Sequence, residues 1–237
     1  GACDNASGCG LAMELARALV TGINHGRLAS PCHSIRFMFV PEMYGTIAYL
    51  ERHPRWPKRV KAGVNLDMVG ESREAMSTAN LVSTPWSLPS PLSDVGAFYM
   101  DAVGSDCRMY EGSERMKAWH YCVTGFAGGS DHYILVDSSF KVPCVHLGHW
   151  PDRFYHSSMD TTSRLDADEL LRMGLVAGAT ILTFADPGLE SARFILGAAE
   201  AGARGRAIRA ATEALDAAMS SHDPTKTKET ITKFFER

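Results

Sequence analysis

Leucines at positions 11, 15 and 19, with alanines at 12 and 16 beside them, recur every four residues. This spacing gathers them on one face and predicts an amphipathic helix. The ten residues that lead into it, Gly-Ala-Cys-Asp-Asn-Ala-Ser-Gly-Cys-Gly, form a tight turn of small residues in which Ser7 or Asn5 is placed to cap the helix. After a polar connection from Gly22 to Pro31, the run Ser34–Val40 is short, apolar and of strand type, and Pro41 ends it. Gly45–Leu50 begins another helix, and Lys61–Gly70 reads as a second buried strand. Strand, helix and strand, both strands apolar, predict an α/β fold: a mixed, largely parallel sheet flanked by helices.

Further along, Thr78–Thr84 is a candidate strand, the proline-rich stretch to Pro91 a turn, and Leu92–Val103 a helix. Glu111–Gly129 has no clear period and ends in a glycine-rich loop. Val142–Leu147 is a short strand, Gly148–Thr162 a loop, and Leu165–Phe184 a helix with Asp166 and Asp168 in its first turn, where negative charge suits the helix dipole. From Pro187 the composition shifts to Ala, Arg and Glu, which predicts a long helix over Leu189–Met219 and a charged terminal one over Asp223–Arg237. Residues 1–186 thus read as one domain and 187–237 as a helical C-terminal extension that packs on the domain or on a partner, a second copy of the chain included. The chain opens inside what looks like a working loop with no strand before it, so an N-terminal part of the domain is expected ahead of Gly1.

Composition narrows the class. The 237 residues, 45% hydrophobic, allow one substantial core. A net charge of -3 is not built to neutralise phosphates, which argues against a nucleic-acid partner. Apolar runs fall far short of the roughly 18 residues a membrane helix needs, so no membrane partner is expected. Six cysteines at 3, 9, 32, 107, 122 and 144 show no paired spacing, which reads as reduced thiols in a cytoplasmic protein. Cys3 and Cys9 flank the first turn; a thiolate ligand there stands beside the commoner reading of a small buried hydrophobe.

Polar residues at the ends of the strands carry the candidate chemistry. In open α/β sheets the ligand crevice lies outside the carboxyl ends of the strands. Asp4 sits in the turn before the first helix, Glu42 follows Ser34–Val40 directly, and Asp67 interrupts an apolar run. A lone buried carboxylate at such a place is costly unless paired or metal-bound. Asp131 and His132 follow the glycine-rich loop, and His156 lies in the loop after Val142–Leu147. Each has a local reading too: Asp4 as a turn residue, Glu42 as a helix-start carboxylate, His132 as a packed imidazole. Together, carboxylates and a histidine converging on one crevice are what zinc and water chemistry requires. Trp86, Trp119, Trp150 and Phe154 are candidates for an apolar pocket and equally for the core.

Four segments, in order, resemble the M28 family of zinc aminopeptidases: Asp4-Asn-Ala-Ser-Gly, Asn65-Leu-Asp67-Met-Val-Gly70, Gly129-Ser-Asp131-His132 and Tyr155-His156-Ser-Ser-Met-Asp160-Thr161. The resemblance runs from Gly1 to about Phe184 and implies the zinc-peptidase/phosphorylase-like fold. It implies two zinc ions in the complete protein, with Asp4 bridging and Asp67 and His156 as further ligands. Asp131 and His132 would belong to the substrate wall, and Tyr155 would steady the tetrahedral intermediate. The reaction implied is removal of N-terminal residues from a peptide or aminoacyl substrate by metal-activated water.

Pro41-Glu42-Met-Tyr-Gly-Thr resembles a bacterial aminopeptidase-like branch with Pro-Glu where ordinary members have Glu-Glu. One carboxylate then stands where the family uses two, so Glu42 is either the general base or a metal ligand. The family's first histidine ligand would precede Gly1, which implies one zinc or none on this chain alone. Two other readings stay open: a single-zinc acyl-transfer enzyme resembling glutaminyl cyclases, with Asp4, Glu42 and His156 as ligands, and a non-catalytic, degenerate member that binds peptides.

Overall fold

The leucine stripe forms the inner face of helix α1 (Gly8–Asn24), with Leu11, Leu15 and Leu19 all buried. The computed structural model describes residues 1–72, 75–105, 119–186, 188–220, 228–229 and 232–233. Ahead of α1, residues Ala2–Ser7 coil into a kinked turn in which Asp4 and Asn5 leave helical geometry. Four strands make the sheet: β1 (Gly63–Leu66), β2 (Thr78–Val82), β3 (Tyr121–Thr124) and β4 (Cys144–Trp150). Their spatial order is β1-β4-β2-β3. β1 pairs parallel to β4, β2 parallel to β3, and β2 antiparallel to β4, so the sheet is mixed and largely parallel, as expected.

Helices α2 (Tyr44–Arg52), α3 (Leu92–Ser105), α4 (Asp131–Leu135), α5 (Ala167–Ala185) and α6 (Leu189–Ser220) complete the described elements. The core joins α1 and α5 to the sheet through Leu11, Leu15, Val145, Leu147, Met173 and Val176. Gly174 of α5 lies where a Cβ would come within 2.9 Å of a Leu11 methyl, which lets the two helices approach closely. Asp166 caps α5 by accepting from the N–H groups of Asp168 and Glu169, at 2.7 and 3.4 Å. Behind the sheet, Glu169 is almost fully buried and accepts from the Trp119 indole at 2.6 Å and from Arg172 at 2.7 Å. Burial alone would raise this carboxyl; the His149 and Trp119 contacts and the Arg172 charge outweigh it and hold it low.

The structure corrects three expectations. Among the described residues Ser34–Val40 pairs with no strand; it lines a cavity of about 580 Å³ with Ala62, Val64 and Phe184. An apolar run has strand character, but a strand needs a ladder partner. The second strand is shorter than Lys61–Gly70 and stops at Leu66, because Asp67 and Met68 turn toward α1. β4 begins and ends later than expected, since Gly148, His149 and Trp150 pair with Asn80, Ala79 and Thr78. Residues 111–118 and most of Asp223–Arg237 lie outside the described residues.

The chain divides into two units, Gly1–Ile195 and Leu196–Arg237. In the first, Phe194 packs against Phe98 and Tyr99 of α3 at ring distances of 4.9 and 5.6 Å. The second consists, in its described part, chiefly of the continuation of α6. No helix among the described residues is long and apolar enough to cross a membrane. The described cysteines, 3, 9, 32, 122 and 144, are all free thiols.

Gly8 and Gly10 make a matched test of how α1 seats on β1. A Cβ on Gly8 would lie 2.2 Å from the Leu66 carbonyl oxygen and 2.3 Å from Asn5 Oδ1, whereas one on Gly10 meets nothing within 4 Å. Gly8→Ala is expected to destabilise by about 1–3 kcal/mol, the scale of overpacking. Gly10→Ala should be neutral or stabilise by up to about 1 kcal/mol through helix propensity. Urea unfolding midpoints of the two variants check both.

Candidate active site

The site begins with how the turn carrying Asp4 is held. Its backbone N–H groups cannot point along a regular helix, so they need acceptors from elsewhere. The Asp160 carboxylate supplies them, accepting from the Cys3 N–H at 2.7 Å and the Asp4 N–H at 3.0 Å. Burial alone would raise the Asp160 carboxyl, but these two backbone donors pull it the other way, and it lies below its ordinary value. Asn5 then ties the turn to the end of β1: its amide donates to the Leu66 carbonyl at 3.0 Å, and its oxygen accepts from Gly8 and Met68 N–H groups at 3.0 and 3.3 Å. Ser7 donates to the Cys3 carbonyl at 2.6 Å and accepts from Val69 at 3.1 Å. Asn5 rather than Ser7 therefore satisfies the first α1 donor, and both residues fix Asp4 relative to Asp67.

A second anchor fixes Glu42. Asp131 Oδ1 accepts from the Met43 N–H at 2.8 Å and the Thr46 hydroxyl at 2.7 Å, capping α2 from outside its own segment. Met43 (φ 53°), Met68 (φ 62°) and His156 (φ 53°) all occupy the left-handed region. The first two follow Glu42 and Asp67 directly. Such strain persists only where the surroundings enforce it, and it clusters at functional sites.

These supports bring Asp4, Glu42, Asp67, Asp131, Tyr155 and His156 around one crevice by the carboxyl ends of β1 and β4. His156 Nε2 lies 3.0 Å from Asp4 Oδ2, and its ring stacks on Tyr155 at 3.7 Å. Asp67 is only 8% exposed, and its Oδ1 has no hydrogen-bond partner. Burial pushes its carboxyl up to about 6; Ser130 works against this, and the charges of Asp4, Glu42 and Asp131 work with it. Glu42 is raised by burial and then by Asp131 and Asp4. The Tyr155 phenol is raised by burial and by Asp4, Glu42 and Asp67. Four carboxyl groups thus face one another with a single imidazole as local counterpart.

His132 is placed differently from Asp131. It is 1% exposed, its Nε2 bonds the Ala127 carbonyl at 2.7 Å, and its ring stacks on His146 at 4.8 Å. Burial lowers both imidazoles, His146 to about 3. Of the expected substrate-wall pair, only Asp131 acts on Glu42 and Asp67. Asp160 belongs to the last of the four motifs, and its action on the turn is visible only in three dimensions. Trp150, half exposed, meets Tyr155 edge-on at 5.4 Å, while Trp119 lies in the core.

The chain belongs to peptidase family M28, whose sequence model matches residues 1–181. No curated protein sequence matches it. Among solved structures it is similar to BSAP, a zinc aminopeptidase from Bacillus subtilis, with TM-score 0.61 and 20% identity over 79% of this chain and 43% of that one. It is similar to an aminopeptidase from Aneurinibacillus sp. strain AM-1, with TM-score 0.51 and 20% identity over 78% and 40%. A candidate peptidase from Clostridium acetobutylicum gives TM-score 0.59 and 24% identity over 77% and 38%. The chain therefore spans about two fifths of the length of these proteins, and at such identities the likeness shows the shared fold. Family and fold support a hydrolase of the peptidase class.

Donor chemistry fits a divalent cation in the crevice: clustered carboxylates, one imidazole and an orphaned buried oxygen on Asp67 are what a zinc-type ion satisfies. The crevice donors are not drawn tight. Among the described residues, the set of three donors within 4.8 Å of one another is Cys3, Glu71 and Asp152.

Asp67 gives a pH test on chelator-treated protein. Its carboxyl titrates near 3.8 ordinarily and near 6 in the folded chain. Between those values the folded state holds the extra proton, so this contribution to stability is full below 3.8 and is lost as pH rises through 6. The loss amounts to about 3 kcal/mol at 1.36 kcal/mol per pH unit. Asp67→Asn should flatten that slope and leave the chelated variant more stable than chelated wild type at pH 7. Urea unfolding at pH 4 and pH 7 measures it.

Proposed function

We propose that this chain carries the metal-binding and catalytic crevice of a zinc-dependent aminopeptidase. The observation that supports this reading is the convergence of Asp4, Glu42, Asp67, Tyr155 and His156, from separate segments, on one crevice. Asp4, Asp67 and His156 would hold zinc. When bound, zinc would lower the pKa of water and polarise the scissile carbonyl.

The remaining chemistry falls to side chains. Glu42, raised above its ordinary value by burial and by its acidic neighbours, suits a group that accepts the proton of the attacking water and returns it to the leaving amine. Tyr155 keeps its proton and can donate to the oxyanion of the tetrahedral intermediate. The acidic wall that includes Asp131 favours a free α-ammonium over a blocked terminus, which favours exopeptidase over endopeptidase action. The substrate is a peptide or aminoacyl compound, and the site of action is the cytoplasm.

Pro41 favours a second reading. It stands where ordinary members of the family place another carboxylate, so Glu42 could serve as ligand with no base left; the crevice would then bind peptides, or act with one zinc in acyl transfer. Glu42→Gln separates the readings in the full-length protein. As base, the change should lower kcat on aminoacyl amides by about 10²–10⁴-fold with zinc content retained. Zinc loss in the variant, together with a wild type inactive on every aminoacyl substrate, would sink the peptidase reading.

A further inference from the structure

A second group of ionisable side chains includes Cys3 of the Asp4 turn. Cys3 is fully buried, Glu71 is 1% exposed and Asp152 is 8% exposed. One donor atom from each, Cys3 Sγ, a Glu71 oxygen and an Asp152 oxygen, lies within 4.8 Å of the other two. Asp152 Oδ1 accepts from the Phe154 N–H at 2.6 Å, which leaves Oδ2 without a partner. Neither oxygen of Glu71 has a hydrogen-bond partner outside the group itself, where the Cys3 thiol and the Asp152 carboxyl face it. His149 is the imidazole that faces Glu71, yet its ring is engaged elsewhere: Nδ1 with the Met68 carbonyl at 3.0 Å and Nε2 with Glu169 at 3.4 Å.

A buried carboxylate that faces only a thiol and a second carboxyl is expensive, since the second negative group adds repulsion. A cation removes both costs at once. We propose that Cys3, Glu71 and Asp152 form a second cation site, structural in role and distinct from the crevice, which takes a divalent transition ion of the zinc class. The thiolate selects against magnesium and calcium, which prefer all-oxygen sites. The second Glu71 oxygen or a water completes the four ligands such sites use. Only small contraction is needed, since metal–ligand bonds of about 2.0–2.3 Å place ligands closer together than 4.8 Å.

The placement gives the site its use. Cys3 precedes Asp4, Glu71 follows Asp67 on the same segment, and Asp152 opens the loop that carries His156. An ion there would tie together the three segments that supply the crevice donors. The site stands whether or not the crevice is catalytic.

Cobalt(II) is the probe, added to full-length protein freed of metal. A thiolate bound to cobalt gives a charge-transfer absorption in the near ultraviolet, which the oxygen and imidazole donors of the crevice cannot produce. Wild type should show it. Cys3→Ser should lose the band and one equivalent of bound cobalt. Asp152→Asn should lower the cobalt affinity of the band by more than about tenfold, the scale that changes outside the ligand set already reach. Asp4→Asn combined with His156→Ala should keep the band while losing crevice metal, so failure of the peptidase reading leaves this result intact. A wild type without the band at saturating cobalt overturns the site, and needs no variant to fold. A band unchanged in folded Cys3→Ser overturns it too.

Discussion

Everything in the crevice depends on two N–H groups of a turn finding an acceptor. The chain leaves helical geometry at Asp4 and Asn5, and the Asp160 carboxylate accepts from Cys3 and Asp4 at that point. Asp160 is four residues after His156, so the loop that delivers the imidazole also holds the turn that delivers Asp4. Asn5 and Ser7 extend the same logic to β1, bonding the backbone on either side of Asp67. The donors are placed by hydrogen bonds to main chain, which tolerate little displacement. Long side chains reaching from independent loops would set them far less sharply.

The cost of this arrangement is electrostatic. Asp67 and Glu42 are both raised by burial and by the acidic groups around them, so the fold sets like charges beside one another, with Asp67 buried and Glu42 at the surface. A structure selected for stability alone would separate these groups or replace them with apolar residues. Glu169 shows the ordinary way to satisfy a buried acid: it receives an indole, a guanidinium and an imidazole. Asp67 Oδ1 has no such partner, and that contrast supports the proposal of a cation beside it.

Legibility followed the range of the interaction. Leu11, Leu15 and Leu19 predict α1 because a helix face is set by local period, and the same holds for α5, whereas α6 is legible from its Ala, Arg and Glu composition. Ser34–Val40 misled because strand character is local while pairing is not. Gly148–Trp150 was hidden for the converse reason: its residues look like loop, and only the antiparallel ladder to β2 makes them strand. Among site residues, Asp4, Glu42, Asp67, Asp131 and His156 stand out as polar interruptions at segment ends. Asp160 and the Cys3, Glu71 and Asp152 group could not be found that way, since each gains meaning only from partners that are mostly 60 or more positions away.

Pro41 changes the character of the loop before α2 as well as its charge. Its ring fixes φ and removes a donor. Its carbonyl accepts from Gly45 at 2.8 Å, and Gly45 is packed so tightly that a Cβ there would lie 2.6 Å from the proline ring. With Asp131 holding Met43, Glu42 is then constrained from both sides. A carboxylate at position 41 would add another negative group to a crevice that already gathers four. The proline therefore fixes the backbone before Glu42 without adding charge to that cluster.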